Sequence, residues 1–266
     1  MRLGPITGAT LVVRDLQRSL AAYGELFGLI AQERGRLPQQ RALDMGDASL
    51  AHAPCARLGG LDVAEPWLTL IEMPQAPLSA PYGRRGWLAL VLAVADVDAL
   101  TASVDLRDWQ MLGEPADRLA VTATRSMQLA GPDGEVLHLQ SPASTGQLPS
   151  AAPINRLHGV VLGAANCAVA LGFYEGLGLL DRWRLQVPVA ALDHTRAPVA
   201  FGRLAGGEII EIDPVAGLPG SDSTLRTGLR LISFARSDSL GRRLVARDDP
   251  SARILAGPEG EGIELV

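Results

Sequence analysis

The side chains able to move a proton or hold a cation are few and unevenly placed. The chain has four histidines and 29 acidic residues, and all 24 of its basic residues are arginine. With no lysine, a Schiff-base mechanism and a lysine general base are excluded. Two glutamates fall in matching phrases, Leu70-Ile-Glu72-Met-Pro and Ile209-Ile-Glu211-Ile-Asp-Pro. His138 and Glu264 occupy the same place in a second pair, Leu129-Ala-Gly-Pro-Asp-Gly-Glu-Val-Leu-His138-Leu and Leu255-Ala-Gly-Pro-Glu-Gly-Glu-Gly-Ile-Glu264-Leu. A carboxylate or imidazole at such positions can transfer protons, and a carboxylate in an apolar enclosure has its pKa raised towards neutrality, which suits a general base. His52 and His194 lie among strand-like residues of the two halves, and His194 is a further acid–base candidate. No Ser–His–Asp spacing, phosphate loop or zinc-finger spacing occurs. The Gly-Pro-Asp-Gly and Gly-Pro-Glu-Gly stretches precede strands rather than helices and read as turns.

These pairs are part of a longer repeat. Gly8-Ala-Thr-Leu-Val-Val-Arg-Asp15 leads into an amphipathic run ending Phe27-Gly28-Leu29. Gly159-Val-Val-Leu-Gly-Ala-Ala-Asn166 leads into one ending Leu177-Gly178-Leu179. Three matching phrases in the same order mean a duplicated unit. The expected division is residues 1–142, a Pro/Ser/Ala-rich linker at 143–153, and residues 154–266, each half long enough for a core of its own.

Within each half the pattern repeats again. Alternation over residues 8–13 predicts a strand, Asp15 an N-cap, and Leu16, Leu20, Tyr23 and Phe27 a helix closed by Gly28. Trp87 to Val94 predicts the next first strand, Asp96 a cap, and Val97 to Trp109 a helix. Val160 to Ala164 with Asn166, and Leu229 to Ala235 with Asp238, continue the series. The whole is an α+β chain of four βαβββ modules, whose curved mixed sheets wrap a cavity.

Strand, Asp or Asn cap, a helix ending in a Leu-Gly-Leu phrase, and a closing Gly-Pro-Asp/Glu-Gly strand resemble the vicinal oxygen chelate superfamily. That group includes glyoxalase I, bleomycin-resistance proteins and extradiol dioxygenases. The resemblance implies two tandem glyoxalase-like domains, and metal ligands on the first, fourth, fifth and eighth strands of each. Carried over in the first domain, those positions fall on Gly8, Glu72, Ala89 and His138. In the second they fall on Gly159 (with His158 beside it), Glu211, Leu231 (with Arg230 beside it) and Glu264. Hard or borderline donors are wanted there, and both sets are incomplete. No cofactor is therefore expected, although a divalent Fe, Mn, Ni or Zn held through His158 and Glu264 stays open.

The function expected on this resemblance is a small-molecule enzyme with a degenerate metal site, doing lyase- or isomerase-like acid/base chemistry on an apolar or aromatic carbonyl compound. Glu72 with His138, and Glu211 with Glu264, are the expected cavity pairs. Trp67, Trp87 and Arg230 are expected to bind substrate, and Trp183 and Tyr82 to add stacking surface. The alternatives are a metal-free sequestering protein of the bleomycin-resistance type and an extradiol-type dioxygenase. A net charge of −5 argues against nucleic acid. Cys55 and Cys167 fall in different halves, so no disulfide framework is expected. Without a signal pattern or an apolar run of spanning length, no membrane partner is expected, and a cytoplasmic monomer or homodimer is the default.

Overall fold

The computed structural model describes residues 2–61, 65–105, 107–118, 124–142, 154–220, 226–236 and 253–266. The first module runs β1 (Leu3–Val13), α1 (Leu16–Phe27), β2 (Ile30–Arg36), α2 (Gln39–Asp44), a 3₁₀ turn (Ala48–Leu50), β3 (Pro54–Gly59) and β4 (Leu68–Glu72). The second is β5 (Gly86–Val94), α3 (Val97–Thr101), β6 (Gln110–Arg118), β7 (Thr124–Ala130) and β8 (Val136–Pro142). The third is β9 (Ile154–Ala164), α4 (Cys167–Gly176), β10 (Asp181–Val189), a 3₁₀ turn (Ala190–Leu192), β11 (Thr195–Arg203) and β12 (Ile209–Pro214). The fourth contributes β13 (Gly228–Arg236), β14 (Arg253–Ala256) and β15 (Gly262–Leu265). Asp238 and the linker at 143–153 lie outside the described residues.

The caps act as their residue types dictate. Asp15 accepts from Arg18 N at 3.0 Å, Asp96 from Asp98 N and Ala99 N at 2.9 and 3.0 Å, and Asn166 from Ala168 N and Val169 N at 3.0 and 3.2 Å. Each satisfies amides that the first helical turn leaves unpaired. Gly28 ends α1 at φ 66°, a left-handed conformation costly for any residue with a Cβ. Helix α3 is shorter than its pattern predicts and stops at Thr101. Asp105 then folds its carboxylate onto Arg107 N at 2.9 Å, a local alternative to the helical ladder. Trp109, beyond that turn, packs edge-on against Tyr23 and Phe27.

The modules assemble into two curled mixed sheets. Sheet A has the order β14-β15-β13-β1-β4-β3-β2, and sheet B the order β10-β11-β12-β9-β5-β8-β7-β6. Each sheet thus joins a module of one half to a module of the other. Strand β1 pairs with β13, Gly8 opposite Ser233, and β5 pairs with β9, Val91 opposite Gly159. The expectation that each half closes its own sheet is corrected by this pairing. Modules of the same half are tied instead by their closing turns. Asp133 accepts from Arg14 N and Ser19 Oγ, both at 2.8 Å, and Tyr23 OH donates to Glu135 at 2.9 Å. In the second half Ala165 N donates to Glu259 at 2.8 Å and Tyr174 OH to Glu261 at 2.7 Å. The helix-bearing faces of both sheets share one core, which includes Tyr23, Phe27, Leu90, Leu137, Val160, Tyr174, Ile210 and Phe234.

Candidate functional site

Strand alternation sends one set of side chains to that shared core and the other to the concave faces. The two concave faces differ. On sheet A, Val12, Ile71 and Leu231 pack against Leu37, Ala42, Met45, Leu50 and Ala53. These last residues belong to the connection between β2 and β3, which carries α2 and fills the hollow. Glu264 sits on this face, fully buried, with Ser233 Oγ donating to it at 2.5 Å and the Arg41 guanidinium of α2 ion-paired to it. Glu72 leaves the concave face altogether. It accepts from Leu16 N at 3.0 Å and so caps the start of α1.

Sheet B keeps a shorter cover. The β10–β11 connection has only its 3₁₀ turn, from which Ala191 and Leu192 reach over the wall. Ala89, Val91, Val136 and Val161 form an apolar floor, and Val187, Val199, Phe201 and Val215 an apolar wall. Trp183 stacks on Phe201 at 5.4 Å with 7° between the ring planes, and Arg203 lies 5.4 Å from the Trp183 ring. Polar groups stand at both ends of this surface. His138 on β8 follows the concave alternation, since Leu137 and Leu139 enter the shared core. Its Nε2 lies 2.7 Å from Tyr82 OH, and Gln128 on β7 is its register partner. Across the floor, Glu211 on β12 lies between Phe201 of β11 and Val161 of β9.

The expected pairs are therefore exchanged. His138 shares a sheet with Glu211, not with Glu72, and Glu264 lies on the other sheet from Glu211. The same arrangement puts His158 of β9 and Glu264 of β15 on different sheets. His158 occupies a β-bulge, because Val91 pairs with Gly159 while Leu92 pairs with Leu157. Gly159 has no room for a side chain, since a Cβ there would lie 2.3 Å from Ile209 O. Replacing Gly159 with His, the donor that the resemblance asks for, is expected to cost about 3 kcal/mol or more in urea unfolding. A variant as stable as the parent would contradict this packing.

His194 is exposed in the turn before β11 at φ 61°. Trp67 and Trp87 are core residues, and Trp87 Nε1 donates to Gly262 O at 2.7 Å. Arg230, half-buried on β13, lines a separate cleft described below. Tyr82 was legible only as an aromatic. Its φ of +53° is unusual for a bulky residue and marks a conformation held by its surroundings. Arg41 gave no signal in sequence, because its partner lies 223 positions away by chain number.

A family model described as Glyoxalase/Bleomycin resistance protein/Dioxygenase superfamily matches residues 2–139, just over half of the chain. The chain belongs to this superfamily. No curated protein matches it. Among solved structures, a Bacillus subtilis subsp. subtilis str. 168 protein assigned provisionally as a dioxygenase is similar at TM-score 0.66 and 13% identity, covering 99% of this chain and 85% of that one. Glyoxalase I from Zea mays is similar at TM-score 0.60 and 17% identity, covering 98% and 91%. At these identities the likeness shows the fold.

The superfamily's divalent metal does not fit the residues present. On sheet A the carboxylate that would ligate is taken by Arg41, and the first-strand position is a glycine. On sheet B the row from His138 runs through Val91 and Gly159 to Ile209, while Glu211 lies two residues along opposite Val161, and none of these neighbours offers a donor. Among the described residues no three His, Cys, Asp or Glu side chains are grouped to hold a metal ion.

Proposed function

We propose that this superfamily member is a small-molecule enzyme that moves a proton beside the carbonyl of an apolar or aromatic compound on the concave face of sheet B. The observation that carries the reading is the 2.7 Å contact between Tyr82 OH and His138 Nε2 beside that apolar surface. With the phenol O–H donated to His138 Nε2, the phenol oxygen can take a proton from carbon as its own proton passes to the imidazole. The imidazolium formed in this way, held against the phenol, offsets the negative charge that the carbonyl oxygen gains. Returning the proton to a neighbouring atom completes an isomerisation, and expelling a leaving group completes an elimination. Glu211 is the second acid–base candidate, and the Trp183–Phe201 wall supplies apolar contact for the rest of the substrate.

Proton NMR in D2O tests the reading on a panel of aryl ketones, 2-hydroxy ketones and 2-oxo acids. Protein-dependent loss of an α-proton signal is expected for at least one member. His138→Gln should slow that exchange by about 10²–10⁴-fold, and Tyr82→Phe should slow it at least as much. Exchange that persists in His138→Gln would end this assignment. The apolar wall also suits a sequestering protein. That reading would show as saturable binding of an aromatic compound with no exchange in any variant.

A further inference from the structure

A second concavity lies where the two halves of the chain meet, and of the proposed proton-transfer residues only Tyr82 reaches it. It is built from corresponding turns of the two halves: Gly86 with Gly228 before the first strands, and Gly134 with Gly260 in the closing turns. All four glycines have φ between 80° and 97°, so backbone rather than side chain forms these parts of the wall. Its volume is about 80 Å³, room for a handful of waters or one small ion, since a single water needs roughly 10–15 Å³ in the same measure.

Four arginines line it, Arg84, Arg85, Arg226 and Arg230, in a chain whose net charge is negative. Arg85 is committed to Glu259 at 3.1 Å. Arg84 reaches Gly220 O at 3.4 Å and Arg230 reaches Met45 O at 3.4 Å, long contacts to neutral carbonyls. Among the described residues neither Arg226 nor Arg230 forms an ion pair. The two carboxyl groups on the lining, Glu135 and Glu261, turn to the tyrosines Tyr23 and Tyr174 and to backbone amides. Burial pushes both up, Glu135 to about 8, so at neutral pH Glu135 offsets little of the arginine charge. Arginines lining a small cavity offer the fork geometry and charge that suit an oxyanion.

We propose that this cleft binds one small oxyanion, a phosphate or carboxylate group, between the two halves of the chain. Tyr82 lines the same cleft and holds His138, so the anion sits one side chain away from the imidazole. The proposal stands on the cleft's own residues and is read by binding, so it survives or fails independently of the proton-transfer reading.

Isothermal titration of the full chain with inorganic phosphate, and separately with malonate, tests it at an ionic strength fixed with sodium chloride. Fixed ionic strength removes general screening as a source of heat. Saturable binding of one anion per chain is expected for at least one probe. Phosphate alone would identify a phosphate site, and malonate alone a carboxylate site. Arg226→Gln and Arg230→Gln should each weaken binding about tenfold or more, Arg226→Lys should weaken it less, and the exposed Arg36→Gln should leave it unchanged. Circular dichroism confirms that each variant is folded. Heat that follows ionic strength alone, or binding unaltered in both Gln variants, would overturn the proposal.

Discussion

Arg41→Met is expected to destabilise the protein by about 3–5 kcal/mol, measured by urea unfolding. Glu264 has no exposed surface, and the Arg41 guanidinium is the charge that compensates it. Removing the arginine leaves a buried carboxylate on the face that Val12, Ile71, Leu231 and Met45 also occupy, with Ser233 Oγ still donating to it. A lone hydroxyl cannot replace the solvation that burial took away. Removing both charges should behave differently. In Arg41→Met with Glu264→Leu, two apolar side chains enter a face that is already apolar, and most of the lost stability should return. A double-mutant cycle over the four proteins gives the coupling directly. A single-variant cost below about 1 kcal/mol would show that the pair is solvated and that α2 does not seal this face. The result bears on function because Glu264 occupies a position at which the resemblance implies a metal ligand. An arginine held there makes sheet A a packed face, which is why the proposed chemistry is assigned to sheet B.

Stability should fall as pH rises from about 4.5 to about 8, and Glu135→Gln should remove much of that fall. Burial raises the Glu135 carboxyl from 4.5 to about 8, against the smaller opposing effect of hydrogen bonds from Tyr23 OH and Asp133 N. Below pH 4.5 both folded and unfolded chains hold the proton, and folding is unpenalised. Between the two values the unfolded chain releases it while the folded chain retains it, so stability decreases with pH. Above pH 8 both forms are ionised and the loss is complete. At about 1.4 kcal/mol per pH unit, the whole loss from this group is at most about 5 kcal/mol. Gln matches the neutral acid in shape and does not titrate. Asp133 and Glu261 are also raised, chiefly by burial, so a smaller slope of the same sign should persist in the variant. Urea midpoints at pH 5, 6, 7 and 8 for both proteins check this. A parent whose stability is flat or rising across that range would contradict a buried Glu135.

Much of the local structure is legible in the residues themselves. Asp15, Asp96 and Asn166 cap helices because a short polar side chain can reach back to unpaired amides, and this depends on neighbours in sequence alone. Gly28 and the Gly-Pro-Asp/Glu-Gly turns are read for the same reason. The repeat of these phrases determines that four similar modules exist. It does not determine which module pairs with which, because every first strand offers the same backbone edge to a partner. That choice rests on contacts far apart in the chain, β1 with β13 and β5 with β9. It moved His138 away from Glu72 and onto the sheet of Glu211. The face of a strand residue is equally fragile, since a slip of one position reverses it. Glu72 turned to cap α1, and a bulge at His158 kept Gly159 against Ile209. Whether a hollow is open or filled depends on the connection that folds over it. Sequence determined the modules, their caps and the superfamily; tertiary packing decided that Arg41 fills one concave face while Tyr82 and His138 meet beside the other, because those partners are neighbours in space alone.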